Sequence, residues 1–306
     1  MAIYLSMAVE IMIGTSPLIV DVKRGSTEDG PGIRTTVFFK GCPLSCKWCH
    51  NPETISPEIE IGFYPKDCIA CFDCEGVCPK KAILRDNKRI NRSKCDACGR
   101  CAEVCPGKAL RQIGRFYEIE ALVNIILRDR AFYETSGGGV TLSGGEPTLW
   151  PAYIGELLRR LKLEGIHTTL QTCGYFDYSL FGEKILPWLD LIMYDLKLIS
   201  PKEHLQHTGR DNQRILENFQ RLLNEDRNKV IPRIPLVPGF TTSPENLAGL
   251  SDFLKQNRVK EYSFLPYNPL GLPKWDYLGK KRPLLPTNWM SRSEEENCRK
   301  ICSYKK

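Results

Sequence analysis

The chain has 306 residues, 42% hydrophobic and 26% charged, the balance of a folded protein long enough for one large α/β domain and a small module. No apolar run reaches the length of a membrane span, and the net charge of +7 is scattered, so neither a membrane nor a nucleic acid is an expected partner. Fourteen cysteines stand out: all but Cys173, Cys298 and Cys302 fall into three tight groups, which points to metal rather than disulfides.

Met1 to Ser16 is mildly apolar, lacks a basic start and carries Glu10 in its middle. The expectation is a loose leader over residues 1–17, or an early start codon, and not a signal peptide; the protein is expected in the cytoplasm. Residues 18–59 open the main domain with a strand over Thr35–Phe39. That strand runs into Gly41-Cys-Pro-Leu-Ser-Cys-Lys-Trp-Cys-His50, where Cys42, Cys46 and Cys49 stand as C-x3-C-x2-C. Three thiolates on one loop can hold three irons of a [4Fe–4S] cluster and leave the fourth iron open, whereas a closed electron-transfer cluster takes four. With His50 added, the same residues could instead hold a structural zinc. The spacing resembles that of the radical S-adenosylmethionine (SAM) enzymes.

Residues 60–112 repeat one pattern twice: Cys68-x2-Cys71-x2-Cys74-x3-Cys78-Pro79, then Cys95-x2-Cys98-x2-Cys101-x3-Cys105-Pro106. This is the run of bacterial two-cluster ferredoxins, in which the fourth cysteine ligates the other cluster. The expected sets are Cys68, Cys71, Cys74 with Cys105, and Cys95, Cys98, Cys101 with Cys78. Both clusters would have a full protein shell, which suits electron transfer.

Residues 113–282 alternate strands and helices. Strands are expected at Gly139–Ser143, His167–Thr172, Leu191–Leu196, Val230–Val237 and Glu261–Leu265. Apolar residues at helical spacing mark helices over Tyr117–Arg130, Ala152–Glu164, Ile215–Leu223 and Pro244–Gln256. Alternation of this kind predicts a parallel sheet of about six βα units, a partial (β/α)6 TIM-like barrel with the ferredoxin-type domain inserted after its first strand. Polar or glycine-rich motifs sit just past the strand ends: Gly144-Gly145-Glu146-Pro147, Gln171-Thr172-Cys173-Gly174, Asp195-Leu-Lys197, Pro238-Gly239 and Pro266-Tyr-Asn268. In parallel α/β folds that rim carries the active site. Pro238-Gly239 also reads as a plain turn. Residues 283–306 form a tail whose Cys298 and Cys302, at helical spacing, read as incidental.

Asp29-Gly-Pro-Gly-Ile-Arg34, the cysteine loop ending in Trp48-Cys-His-Asn-Pro52, Ser143-Gly-Gly-Glu-Pro147 and Tyr194-Asp-Leu-Lys197 together resemble the glycyl radical enzyme activating enzymes. The match is to the pyruvate formate-lyase activating enzyme-like group, in its longer branch with an eight-cysteine insert. The resemblance implies three [4Fe–4S] clusters, with SAM chelated by the open iron of the first. It implies reductive cleavage of SAM to methionine and a 5′-deoxyadenosyl radical, which abstracts hydrogen from a glycine of a partner enzyme. A flavodoxin or ferredoxin-type protein would supply the electron.

On this resemblance Trp48, His50, Gly144, Gly145, Glu146, Asp195, Lys197 and Asn268 are cofactor contacts, with Cys42, Cys46, Cys49 and Lys197 catalytic. Glycines let backbone approach the methionine part closely, and Glu146 could accept bonds from an ammonium or brace its loop. Asp195 and Lys197 could equally be a surface ion pair, and residues 29–34 a simple turn. Two positions depart from the family pattern. Asn268 replaces a frequent His and cannot titrate, and Gln171 replaces an acid linked to a bound monovalent cation. An electron-carrying polyferredoxin and a radical SAM enzyme acting on another peptide or a small molecule are the rival functions.

Overall fold

The computed structural model describes residues 16–302, so the expected leader lies, up to residue 15, outside the described residues. Ten strands form two sheets: β1 Leu18–Ser26, β2 Arg34–Phe39, β3 Glu60–Phe63, β4 Leu110–Ile113, β5 Arg115–Phe116, β6 Gly139–Gly144, β7 His167–Thr172, β8 Leu191–Asp195, β9 Val230–Leu236 and β10 Ser263–Pro266. The large sheet has the order β10-β9-β8-β7-β6-β2-β1-β5. From β2 to β10 every pairing is parallel and neighbours follow chain order, so all these strands end on one side. β1 and β5 add an antiparallel edge that the alternating pattern did not predict.

The parallel strands are buried on both faces, as sheets covered by helices require. Ile154, Leu157, Leu158 and Leu161 present the apolar stripe of helix Pro151–Leu163 to the core. Serine caps followed by proline start two helices: Ser200 Oγ accepts from Glu203 N–H, and Ser243 Oγ from Asn246 N–H. The helix expected over Tyr117–Arg130 runs over Ile119–Leu127, and a second helix, Arg130–Ser136, follows it. The break falls at Asp129, whose buried carboxylate accepts from Thr35 Oγ1 (2.7 Å) and from Arg24, so its place in the core takes precedence over helix continuity.

Residues between β2 and β6 contain the repeated cysteine block. β3 and β4 pair antiparallel from Glu60↔Ile113 to Phe63↔Leu110 and close its ends together. A separate apolar cluster that includes Ile61, Phe63, Ile83, Ile90 and Leu110 underlies it. The tail behaves differently from its sequence reading. Helix Arg292–Cys302 packs on helix Pro244–Gln256 and buries Cys298 and Cys302 in the main core. Cys302 Sγ lies 3.4 Å from Leu247 O, and its carbonyl accepts from Ser251 Oγ and Tyr262 Oη. Among the described residues no helix is long and apolar enough to cross a membrane.

Candidate active site

β2 ends at Phe39 and enters the cysteine loop through Gly41, whose φ of +99° and closeness to the Trp150 ring (2.7 Å from a would-be Cβ) exclude a side chain. Backbone bonds pin the loop: Cys42 N–H to Ile55 O (3.0 Å), Ser45 N–H to Thr208 O (2.7 Å) and Lys47 N–H to His207 O (3.0 Å). Cys42, Cys46 and Cys49 thereby line one large open cleft at the ends of the parallel strands. All three thiols are free of disulfides. Burial pushes the Cys46 thiol up to about 12, against the pull of Lys197, and raises Cys49 too. Thiolates there call for a cation to offset burial, and three sulfur donors on one loop fit three irons of a cluster.

Gly144 and Gly145 share the cleft, and their glycine character has a cause in the fold itself. A Cβ on Gly144 would stand 2.4 Å from Phe39 N and O, and one on Gly145 2.0 Å from Gly41 O. The pair is small because β6 ends against the entry of the cysteine loop, with Gly145 N–H bonded to Phe39 O and Glu146 N–H to Gly41 O (2.8 Å each). Glu146 does not face the cleft. It is 0% exposed; its Oε1 accepts from Thr148 N–H, Thr148 Oγ1 and Thr172 Oγ1, and its Oε2 from Cys173 N–H at 2.7 Å. Of the two roles considered for it, this geometry is that of the brace.

Asp195 and Lys197 are part of a triad that the sequence reading missed. Lys197 Nζ lies 2.9 Å from Asp195 Oδ2, and Arg233 on β9 holds Oδ1 at 2.7 Å, all three largely buried at the cleft wall. Arg233 is the register partner of Asp195 across β8 and β9, so strand alternation was the signal that could have found it. Burial opposes the charge of Asp195, but Arg233 and Lys197 hold the carboxyl below its usual range. Burial also opposes the charge of Lys197; Asp195 and the neighbouring thiols more than offset it and keep the ammonium above its ordinary value. Two cations around one anion leave this triad net positive.

Trp48 is buried against Phe240 (ring centroids 5.3 Å) in an apolar shell that includes Leu44, Val237 and Tyr267. His50 and Asn268 meet directly at 2.7 Å, Nε2 to Oδ1. Because Asn268 Oδ1 also accepts from Leu270 N–H, the His50 Nε2 carries the proton and donates. Burial, and Lys274 nearby, lower the His50 pKa. Trp275 Nε1 donates to Cys49 O, and Lys274 Nζ to Asn51 Oδ1 and Glu53 Oε1, so the segment after β10 clasps the cysteine loop.

The 29–34 loop is more than a turn. Arg34 is fully buried and reaches Thr141, Thr169 and the Val140 and Pro31 carbonyls, which anchors the loop under the sheet. Burial lowers its pKa to about 10. Asp29 lines the cleft; its Oδ2 accepts from Ser26 and Thr36, and its Oδ1 from Gln171 Nε2 (3.1 Å). Gln171 Oε1 accepts from Ser143. Gln171 thus sets a neutral amide, with no charge of its own, beside the Asp29 carboxylate.

In the insert, Cys68, Cys71, Cys74 and Cys105 line one small cavity, and Cys78, Cys95, Cys98 and Cys101 line another. Ala82 N–H points to Cys78 Sγ and Ala109 N–H to Cys105 Sγ, each at 3.2 Å. Among the described residues no three His, Cys, Asp or Glu side chains converge as for a single metal ion. The thiols ring voids instead, and the donor sets fit four-iron clusters.

Residues 36–250 match the family described as the Radical SAM superfamily. The chain is 41% identical over 271 residues to the trans-4-hydroxy-L-proline dehydratase activating enzyme of Clostridioides difficile, covering 87% of this chain and 89% of that protein. It is 37% identical over 273 residues to the benzylsuccinate synthase activating enzyme of Thauera aromatica, covering 86% and 82%. A radical SAM methyltransferase from Sphaerobacter thermophilus shares the fold at a TM-score of 0.51 and 14% identity, over 98% of this chain and 78% of that one.

Proposed function

The chain belongs to the radical SAM superfamily, among the glycyl radical enzyme activating enzymes, and from that premise we propose that it installs the radical of a partner glycyl radical enzyme. The observation that carries the reading at the site is the single cleft shared by Cys42, Cys46, Cys49, Gly145, Asp195 and Lys197. Cluster and SAM, when bound there, supply reductive cleavage to methionine and a 5′-deoxyadenosyl radical that takes a hydrogen atom from a glycine of the partner. Cys42, Cys46 and Cys49 hold the cluster. Lys197, with its proton held firmly, acts as a fixed charge; together with Arg233 it makes the wall that receives an anionic group such as a carboxylate. Glu146 fixes the strand end behind the cluster, and the shell around Trp48 keeps water from the radical.

Finer readings rest on narrower support. The cleft draws residues from β1 across to the segment after β10, which favours a partial (β/α)6 barrel with its mouth there. Residues 60–112 are read as a two-cluster ferredoxin-type module, making three clusters in all, because the eight cysteines divide between two cavities. The rest of the barrel then occupies residues 18–59 and 113–282. Exposed Cys71 and Cys98 support a flavodoxin or ferredoxin-type donor docking on the insert, in the cytoplasm.

The test is anaerobic. Reduced, iron-reconstituted protein with SAM is expected to yield methionine and 5′-deoxyadenosine in equal amounts, and a glycyl radical signal on its partner lyase by electron spin resonance. Absence of both products overturns the function; cleavage without a radical on any partner candidate overturns the assignment to a protein glycine.

A further inference from the structure

The two cavities of the insert are near-copies, and this makes their one large difference readable. Ala70 and Ala97 both have φ +57°, and Lys81 and Lys108 have +48° and +54°. Cys71 and Cys98 are exposed, while Cys74 and Cys101 are buried. The backbone N–H to sulfur contacts at Cys78 and Cys105 have equal length. Solvent exposure and backbone hydrogen bonding, two of the levers that set a cluster's potential, therefore nearly cancel between the copies.

Charge cancels only in part, because the cation that acts on Cys95 and Cys101, Arg92, is only half-buried and stands outside the lining of that cavity. Arg89 lines the cavity of Cys68, Cys71, Cys74 and Cys105, is 8% exposed, and places Nη2 3.5 Å from Cys68 Sγ. Nη1 donates to Leu84 O at 3.3 Å, and the buried Nε has no hydrogen-bond partner. The guanidinium lies over Phe72, 4.6 Å from its ring centroid, which leaves it little water. The other cavity is lined by Ile61, Ile83 and Ile90 and by no cation. Its charged neighbours are exposed Asp96, which accepts from Cys98 N–H at 3.3 Å, and Arg92, which stands outside the lining and donates to the Ile61 and Tyr277 carbonyls.

We propose that Arg89 makes the site of Cys68, Cys71, Cys74 and Cys105 the higher-potential site of the pair, so that the first electron taken up by the insert resides there. This rests on the reading of the insert as a two-cluster module. Reduction adds one electron from the external one-electron donor and moves no proton; a buried cation beside the sulfurs stabilises the added negative charge. Both sites are tied to the segment after β10, the first because Tyr64, shortly before Cys68, lies against Tyr277. Arg92 faces Cys95 and Cys101 and bonds to Tyr277 O, and the same short helix carries Trp275 on Cys49 O.

Redox titration of the full, reconstituted chain, followed by electron spin resonance, tests this. Iron is counted first: about twelve atoms per chain support three clusters, and about four overturn the cluster reading itself. With twelve, the two insert sites are expected to differ by about tenfold or more in their reduction equilibria, about 59 mV for one electron. Cys71→Ala should remove the higher wave and Cys98→Ala the lower. Arg89→Gln should lower the higher wave by about tenfold and leave the other in place, while Arg89→Lys keeps most of the separation. Loss of the lower wave in Cys71→Ala, or an unchanged separation in Arg89→Gln, overturns the proposal. If one variant fails to load iron, the other arm decides alone.

Discussion

Gly145→Ala puts a methyl group where the chain has no room. Its Cβ would lie 2.0 Å from Gly41 O and 2.7 Å from Thr54 O, against ordinary contacts of 3.4–4 Å. Both obstacles are backbone, so neither can swing aside. Restoring contact moves Gly41 O by about 1.4 Å, the difference between 2.0 and 3.4 Å. That displacement breaks Glu146 N–H to Gly41 O (2.8 Å) and strains Gly41 N–H to Thr54 O (2.7 Å). Two backbone hydrogen bonds at about 1 kcal/mol each, with an overpacking cost of about 1–3 kcal/mol, give a loss of about 3–5 kcal/mol. Gly41 adjoins Cys42, so the cysteine loop shifts as well. Urea unfolding under anaerobic conditions measures the loss, and the change in cluster spectrum on adding SAM reports the loop. Gly76→Ala, with no atom within 4 Å of its new Cβ, is the control and is expected to be neutral or slightly stabilising. A Gly145→Ala protein within 1 kcal/mol of the parent, by the scale of that overpacking cost, with a normal SAM-dependent spectrum, would refute the steric argument.

Asp195→Asn leaves Lys197 and Arg233 facing each other and should cost about 3 kcal/mol at neutral pH. The folded-state pKa of Asp195 is lowered, so its contribution is full above the unfolded carboxyl range and lost as pH falls through the folded value; the difference between parent and variant should shrink toward zero below about pH 4. A difference independent of pH speaks against the ion triad. Glu146→Gln sets an amide NH2 against the Cys173 N–H or the two threonine hydroxyls, and a thermal melt should register a loss of about 1–3 kcal/mol. In the native protein Cys298 and Cys302 should resist alkylation, mapped by mass spectrometry, until denaturant is added; rapid labelling of Cys302, which is 0% exposed, would contradict the docked C-terminal helix.

Much of this architecture was legible because parallel strands announce themselves twice. Short runs with β-branched or apolar residues, such as Gly139–Gly144 and His167–Thr172, mark the strands, and the polar motifs that follow them mark the rim. β1 escaped notice because its middle is largely exposed; its Asp21, Lys23 and Arg24 read as surface. Helix Arg292–Cys302 escaped because a charged face dominates its sequence, and its two cysteines stand in for the aliphatic residues expected on a docking face. Spacing brought Asp195 and Lys197 together but could not supply Arg233, which reaches them only across a strand pairing. The glycine pair was legible as a close approach, though not as an approach between two backbones.

The segment after β10 explains how the insert and the cleft can act as one device. Asn268 holds His50, Lys274 holds Asn51 and Glu53, and Trp275 holds the Cys49 carbonyl. Two residues further on, Tyr277 stacks on Tyr64 (centroids 4.5 Å) and accepts from Arg92, both in the insert. Lys280 then pairs with Glu60 on β3, and Glu60 also neutralises the fully buried Lys40 at the end of β2. Each contact alone is modest. Because they fall on one stretch of about a dozen residues, the insert cannot shift without pulling on the backbone of Cys49 and the side chain of His50. The fixed geometry between the two cysteine-bearing regions is therefore a property of this clasp rather than of the long connections that lead into and out of the insert.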